Sequence, residues 1–229
     1  MATAEEQAAI LAIAEGCRGA VIVELGARGG EDEPWIRAAF EREGPAHYVM
    51  VEPDMRNAQI ILDVPQGTSR TRRLVLGAVA SFTGMIIFHG SVSPDGSRTS
   101  GSIRRPTGHL LHLPDILFPE SLRTTVPCYR LDDIVQNEFV EKIDLLWVDI
   151  QGAERDMIEG GREALKRTHY LFIEAETVEL YEGEALKGEL IAMLPGWTLL
   201  QDFGYNLLLR NDNPLLTGRL IAKAAGAQW

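Results

Sequence analysis

Short apolar runs alternate with amphipathic stretches along most of this chain. Residues 4 to 16 mix Ala, Ile and Leu with Glu and Gln at helical spacing and predict a leading helix. "AVIVEL" (20–25) is a β-branched run that stops at a glycine-containing turn, and a helix through "DEPWIRAAFERE" follows. "HYVMVEP" (47–53) predicts the next strand, ended by Pro53, and "NAQIILD" the next helix. "RRLVLGAVA" (72–80) and "GMIIFHG" (84–90) each read as one strand. "VPCYRL" is extended, and "DDIVQNEF" opens on acids as a helix N-terminus does. "IDLLWVD" (143–149) is almost continuously apolar, the signature of a strand buried on both faces. "AERDMIEGGREALKR" predicts a helix weakened at Gly160 and Gly161, then "HYLFIEA" (169–175) a strand and a Glu/Leu-rich stretch a helix. "WTLLQDF" and "YNLLLRN", joined around Gly204, predict a closing hairpin.

Strands that alternate with helices form a parallel sheet covered on both faces, with right-handed crossovers. The hairpin adds one antiparallel strand near the sheet edge. The 229 residues, 45% of them hydrophobic, suit one α/β domain, and no repeat or linker divides them. Residues 91 to 125, rich in Ser, Gly, Pro, Arg and His, are too long for an ordinary connection. They predict a mobile lid over a binding site.

Charge narrows the function. With 22 Lys+Arg against 33 Asp+Glu the net charge is -11, so the chain lacks the footprint of a nucleic-acid binder and suits an anionic membrane poorly. Cys17 and Cys128 follow no metal spacing and read as free thiols of a reducing compartment. The acidic N-terminus has no basic segment of a secretory signal, and no apolar run reaches membrane-spanning length. The expected location is the cytoplasm. Homo-oligomerisation is left open.

Ligands of an open parallel sheet bind beyond the carboxyl ends of its strands. The first such place is "VELGARGGE". A dinucleotide fingerprint needs glycine at positions 26, 28 and 31, and Arg28 and Glu31 break it, which argues against a nicotinamide-dependent oxidoreductase. An acid, Glu24, ahead of the turn suits a cationic amine better than a pyrophosphate. Second is Glu52 in "VEP", where a carboxylate can accept hydrogen bonds from ribose hydroxyls. Third is "VDIQGAE": Asp149 ends a central strand, where an acid costs desolvation unless something pairs with it. Glu154 falls in the first helical turn, where complementing the helix dipole is as good an explanation as chemistry.

Of five histidines, His47 and His169 begin strands on the wrong side of the sheet, while His89, His109 and His112 could reach a site. Taken singly, each is more often structural. Between residues 91 and 109, Arg98, Arg104 and Arg105 against the single acid Asp95 make the long segment locally positive, suited to an anionic or polyhydroxylated group on a substrate.

Four stretches together resemble the FkbM-type methyltransferases, which use S-adenosylmethionine. They are "VELGARGG", "VEP", "YRLDDIV" and above all "IDLLWVDIQGAERDMIEGG", within a resemblance covering roughly residues 20 to 210. Two positions depart from the family pattern: Arg28 replaces an Asn, and Gln151 stands where a Glu is usual. The resemblance implies a Rossmann-like class I methyltransferase fold, a seven-stranded, mostly parallel sheet with an antiparallel C-terminal strand. It implies that Glu24, Gly26, Gly30 and Glu52 bind S-adenosylmethionine, and Arg28, Ala78 and Asp149 are counted with them. It further implies methyl transfer to a hydroxyl of a sugar or secondary metabolite in natural-product or glycan biosynthesis, yielding S-adenosylhomocysteine.

A hydroxyl becomes a nucleophile once its proton is removed. Asp149, Glu154, His89 and His109 are the candidate bases, and Ser102, Arg104 and Arg105 the candidate acceptor contacts. Mg²⁺ held by Asp149 with Glu174 or Glu176 is conceivable and ranks below a metal-free route because no further ligand set is evident, so no residue is assigned to a metal. A catalytically inactive S-adenosylmethionine or nucleoside binder is the competing reading.

Overall fold

In the computed structural model, which describes residues 2–64 and 72–215, the apolar runs become strands and the amphipathic stretches pack on them. In chain order the elements begin α1 (Ala4–Ala14), β1 (Val21–Leu25), α2 (Glu33–Phe40), β2 (His47–Glu52), α3 (Met55–Asp63) and β3 (Arg72–Leu76). β4 (Ala78–Val79), β5 (Gly84–His89), α4 (His109–His112), β6 (Arg123–Tyr129), α5 (Leu131–Asn137) and β7 (Ile143–Val148) follow. The last are α6 (Glu154–Gly160), α7 (Arg162–Lys166), β8 (Thr168–Glu174), α8 (Lys187–Ala192), β9 (Trp197–Asp202) and β10 (Asn206–Asn211).

The main sheet has seven strands in the order β3-β2-β1-β7-β8-β10-β9. The β1–β2, β2–β3, β1–β7 and β7–β8 pairs are parallel, and β10 runs antiparallel to both β8 and β9. This is the fold expected from the sequence. The strand order reverses between β1 and β7, which opens a crevice at their carboxyl ends.

Strand alternation sorts the core onto two faces. Ile22, Tyr48, Met50, Leu145, Trp147 and Phe172 pack against α1, α2 and α3 through Ile10, Ile36, Phe40 and Ile61. Val23, Leu25, Val51, Leu146, Val148 and Ile173 pack on the other face against Leu131, Met157, Leu165 and Leu190. Every residue of β7 is buried. Its one acid, Asp144, accepts from the Val21 N–H at 2.7 Å and pairs with Lys142. The leading helix carries a Thr3/Glu6 capping box, and the same Glu6 accepts from Asn206 of β10.

Two sequence expectations need correcting. The run 72–80 is two strands, because the chain leaves the main sheet at Gly77 and β4 joins a second, three-stranded sheet in the order β4-β6-β5. That sheet is a product of distant pairing, Ala78 with Cys128 and Phe88 with Thr124, which no local pattern announces. The predicted long helix is divided into α6 and α7 at the Gly160–Gly161 pair. A side chain on Gly160 would come within 2.5 Å of the Ala80 carbonyl, so the glycine lets the helix lie against the second sheet. Among the described residues, no helix is long and apolar enough to cross a membrane.

The crevice depends on how closely two turns meet. Asp149 N–H donates to the Leu25 carbonyl, and Gly26 N–H to the Val51 carbonyl. Gly26 has φ +82°, and a Cβ there would lie 1.8 Å from the Asp149 carbonyl oxygen. Behind these turns, Glu154 is buried with its carboxylate on the Ile150 N–H at 3.2 Å. Burial, followed by repulsion from Asp149, raises its pKa to about 8.

Gly26→Ala is expected to cost about 2–4 kcal/mol, since both the backbone conformation and the contact forbid a methyl; urea unfolding measures it. Glu154 also makes stability depend on pH. Its folded-state pKa lies above the model value of 4.5, so from about 4.5 to 8 the folded protein holds a proton that the unfolded chain has released. That contribution is complete below 4.5 and is lost as pH rises through about 8. Glu154→Gln keeps an acceptor for the Ile150 N–H and removes the charge. It is expected to gain about 1–3 kcal/mol on wild type between pH 5 and 8, read as melting temperature against pH.

Candidate functional site

A cleft of about 840 Å³, its open mouth included, lies at the carboxyl ends of β1, β2 and β7. Gly26, Ala27 and Arg28 line it from the first turn, Glu52 and Pro53 from the second, and Asp149, Ile150 and Gln151 from the third. Gly77, Ala78 and Val79 form one wall, and Trp147 reaches it from β7. Residues 98–103 of the long segment contribute Arg98, Thr99, Gly101, Ser102 and Ile103.

Glu52 is buried, and its oxygens accept the N–H groups of Arg28 and Asp54, each at 2.8 Å. Asn57 adds a longer contact at 3.4 Å. Burial raises the carboxyl to about 7 against the opposing effect of those N–H donors. Each carboxylate oxygen can accept more than one hydrogen bond, so Glu52 retains acceptor capacity toward the cleft. The same Asn57 donates to the Arg98 carbonyl at 3.1 Å, tying the roof to the second turn.

Asp149 is open to the cleft yet hemmed in by protein, and this enclosure raises its carboxyl above the usual carboxylate range. The Gln151 side-chain amide donates to Asp149 and to Glu174 at the end of β8, at 2.7 Å each. Its Oε1 lies 2.8 Å from the Tyr181 hydroxyl, which also reaches the Ser100 carbonyl at 2.9 Å. Ser102 Oγ donates to the Gln151 carbonyl at 2.6 Å and accepts from the Arg104 N–H at 3.0 Å. The third turn and the roof are thus one hydrogen-bonded unit.

The predicted site residues separate clearly against this geometry. Gly26, Arg28, Glu52, Ala78, Asp149 and Ser102 all line the cleft. Glu24 does not, because strand alternation turns it to the face of Ile22, where it accepts from Tyr48 at 2.9 Å. Burial holds its pKa well above the ordinary range. Gly30 closes the first turn through a hydrogen bond to the Ala27 carbonyl and faces Ile61. Glu154 lies behind the cleft wall.

His89 ends a strand of the second sheet, not of the main one, and partial burial, followed by the charges of Arg123 and Arg105, lowers its pKa. His109 is buried between Phe118 and Tyr181, with ring centroids 5.1 and 5.4 Å away, and burial lowers its pKa. Neither lines the cleft. Arg104 is committed to Asp156 at 2.5 Å and to the carbonyls of Glu182 and Gly183. Arg105 is exposed beside Glu182. Arg98, grouped with them in the sequence, is the arginine of that cluster that lines the cleft, and its side chain has no partner among the described residues.

The long segment is also more tightly built than a loose lid. Ser91, Ser100, Ser102 and His109 are buried, and bridges join His89 to Ser102 and Val92 to Leu117. Sequence reasoning missed Asp32, Asn57, Phe88 and Trp147 as lining residues and Tyr181 as a partner of Gln151. Asp32 had a signal, an acid ahead of the second helix; the others are brought in by tertiary packing alone. Among the described residues, no group of three or more His, Cys, Asp or Glu could hold a metal ion.

The contents of the cleft fit a nucleoside-bearing cofactor. An acid that lines the second turn, a glycine turn that a side chain would block and an apolar wall at Ala78 and Val79 are all present.

Comparison with known proteins agrees with the fold. The chain is 33% identical over 198 residues to the 2-O-methyltransferase NoeI of Sinorhizobium fredii, covering 83% of this chain and 79% of that one. It is similar in structure to the methyltransferase FkbM of Methylobacillus flagellatus, with a TM-score of 0.53 and 15% identity. That match covers 84% of this chain and spans only 43% of the other. Residues 24–207 match the methyltransferase FkbM domain, and the chain belongs to that family.

Proposed function

We propose that this methyltransferase moves a methyl group from S-adenosyl-L-methionine to a hydroxyl oxygen of a neutral, hydroxylated small molecule such as a glycoside or secondary metabolite. The observation that carries this reading is Asp149, an acid facing a cleft whose other turns suit a nucleoside. The 2-O-methyltransferase activity named for the Sinorhizobium relative supports oxygen as the acceptor atom.

When bound, S-adenosylmethionine supplies a methyl group on a sulfonium and leaves as S-adenosylhomocysteine. Glu52 accepts hydrogen bonds from the ribose hydroxyls, and the Gly26–Arg28 backbone packs against the cofactor. Asp149 orients the acceptor hydroxyl and receives its proton, a contribution of general-base size. Residues 98–103 roof the cleft and exclude water, so that positioning supplies much of the rate. A neutral acceptor fits a floor that carries Asp149 with Glu174 beside it and an Arg104 already paired, with Arg98 of the lining left to meet the acceptor's oxygens.

Glu52 makes cofactor affinity depend on pH. Its carboxyl sits at about 7, and hydroxyl donors favour the ionised form. Calorimetry is expected to show S-adenosylhomocysteine affinity falling by up to about tenfold per pH unit below 7. Glu52→Ala should weaken binding by roughly 1.5–3 kcal/mol at pH 8 and remove that slope. Unchanged affinity would take Glu52 out of the cofactor site.

Asp149→Asn keeps the shape and removes the charge. Turnover of S-adenosylmethionine with a panel of glycoside acceptors is expected to fall roughly 10²–10⁴-fold with cofactor affinity nearly unchanged. Near-normal turnover would make Asp149 structural. A wild-type protein that binds the cofactor and methylates no hydroxylated acceptor would favour an inactive binder.

A further inference from the structure

Glu174 shares an amide partner with Asp149, and this mechanism leaves it without a role. It ends β8, next to the strand that Asp149 follows. One amide nitrogen, Gln151 Nε2, lies 2.7 Å from a carboxylate oxygen of each. The two acids are therefore held side by side by one amide. Two enclosed carboxyls that share one amide repel each other when ionised, which favours one of them keeping its proton.

Every other acidic group facing the pair increases that pressure. Glu154, Glu176 and Asp32 repel from α6, from beyond β8 and from ahead of α2. Glu184 lies behind them, and the hydroxyl of Tyr181 closes the far side. Two cations near these acids are paired elsewhere. Lys187 acts on Glu176 and pairs with Asp202, while Arg104 acts on Glu184 and pairs with Asp156. The two members of the pair differ in one respect. Asp149 lines the cleft, and Glu174 does not.

We propose that Glu174 is a positioning residue that stays a neutral carboxylic acid and donates its proton in a hydrogen bond to Asp149, holding Asp149 ionised and turned toward the acceptor, with Gln151 pinning both. The inference deepens the hydroxyl-methylation reading and rests on it for its kinetic consequences. Burial raises Glu174 well above the ordinary carboxylate range, followed by repulsion from Asp149, Glu154 and Glu176, in keeping with that role. The acceptor's proton passes to the Asp149 carboxylate. The electron pair of that O–H bond stays on oxygen and forms the new O–CH₃ bond, while the pair of the broken C–S bond leaves on sulfur. Glu174 keeps its own proton throughout. Gln151 suits this arrangement because Tyr181 occupies its oxygen and leaves both amide hydrogens for the two carboxyls. A glutamate there would add a second negative charge beside Asp149.

The experiment pairs a titration of the ligand-free wild type with two variants. Carboxyl ¹³C NMR is expected to show Glu174 still protonated at pH 7 and Asp149 already ionised. Glu174→Gln replaces the neutral acid with a neutral donor and should keep kcat/KM within about threefold, with its acid limb unmoved. Glu174→Ala removes the donor and should move that limb up by about one pH unit and lower kcat at pH 7 about tenfold, with S-adenosylhomocysteine affinity unchanged. A Glu174 that titrates in the ordinary carboxylate range overturns the proposal, whatever the activity. So does a Glu174→Gln enzyme that binds cofactor normally and is as impaired as Glu174→Ala. If wild type binds cofactor but methylates no hydroxyl, the hydroxyl-methylation reading fails, and the titration still decides the protonation of the pair.

Discussion

The contact between Gly26 and the Asp149 carbonyl is the constraint on which the site depends. The α-carbon of one turn sits where a single methyl would meet the peptide oxygen of the other. Strand pairing brings this about, since β1 and β7 are neighbours in register up to Leu25 and Val148. The turns that follow leave the sheet side by side. One presents glycine backbone and the other an acid, and the two face the same crevice. A bulkier residue at position 26 would push the turns apart and displace Asp149 from the cleft floor.

Electrostatics forms the second layer. Four acids in and around the site have environments that oppose ionisation. Glu52 is held by backbone N–H groups, Glu154 by the Ile150 N–H, and Asp149 with Glu174 by the amide of Gln151. Each is enclosed, and each has its pKa raised, first of all by that enclosure. A cationic ligand seated among them would relieve part of this repulsion. Stability of the ligand-free protein and affinity for such a ligand therefore draw on the same groups, and an acidic net charge is compatible with a site that takes a cation.

The roof belongs to this network rather than hanging over it. Ser102 and Tyr181 reach the Gln151 turn, and Asn57 reaches the backbone of Arg98. Arg104, which local charge suggested as a substrate contact, fastens the roof to α6 through Asp156. Its guanidinium is used for architecture, and Arg98 is the arginine of that cluster left to line the cleft.

Much of this was legible from the chain alone. The apolar run 143–149 predicted a strand buried on both faces, and β7 is buried at every position. The rule that ligands lie beyond strand ends put Glu52 and Asp149 at the site, and both line the cleft. Local pattern sufficed there because a residue that ends a strand has its position set by that strand. It did not suffice for Glu24, whose side chain follows the alternation of β1 and turns toward Tyr48. Nor did it serve His89, whose strand joined a second sheet through pairing with residues 123–128. Arg98 and Arg104 look alike in sequence, and only the fold distinguishes the arginine that lines the cleft from the one paired with Asp156. The sequence by itself determined strands, turns and the residues at their ends, because those follow from periodicity and backbone chemistry. Tertiary structure decided which face each side chain meets and which partner neutralises it, because those depend on groups dozens of residues away.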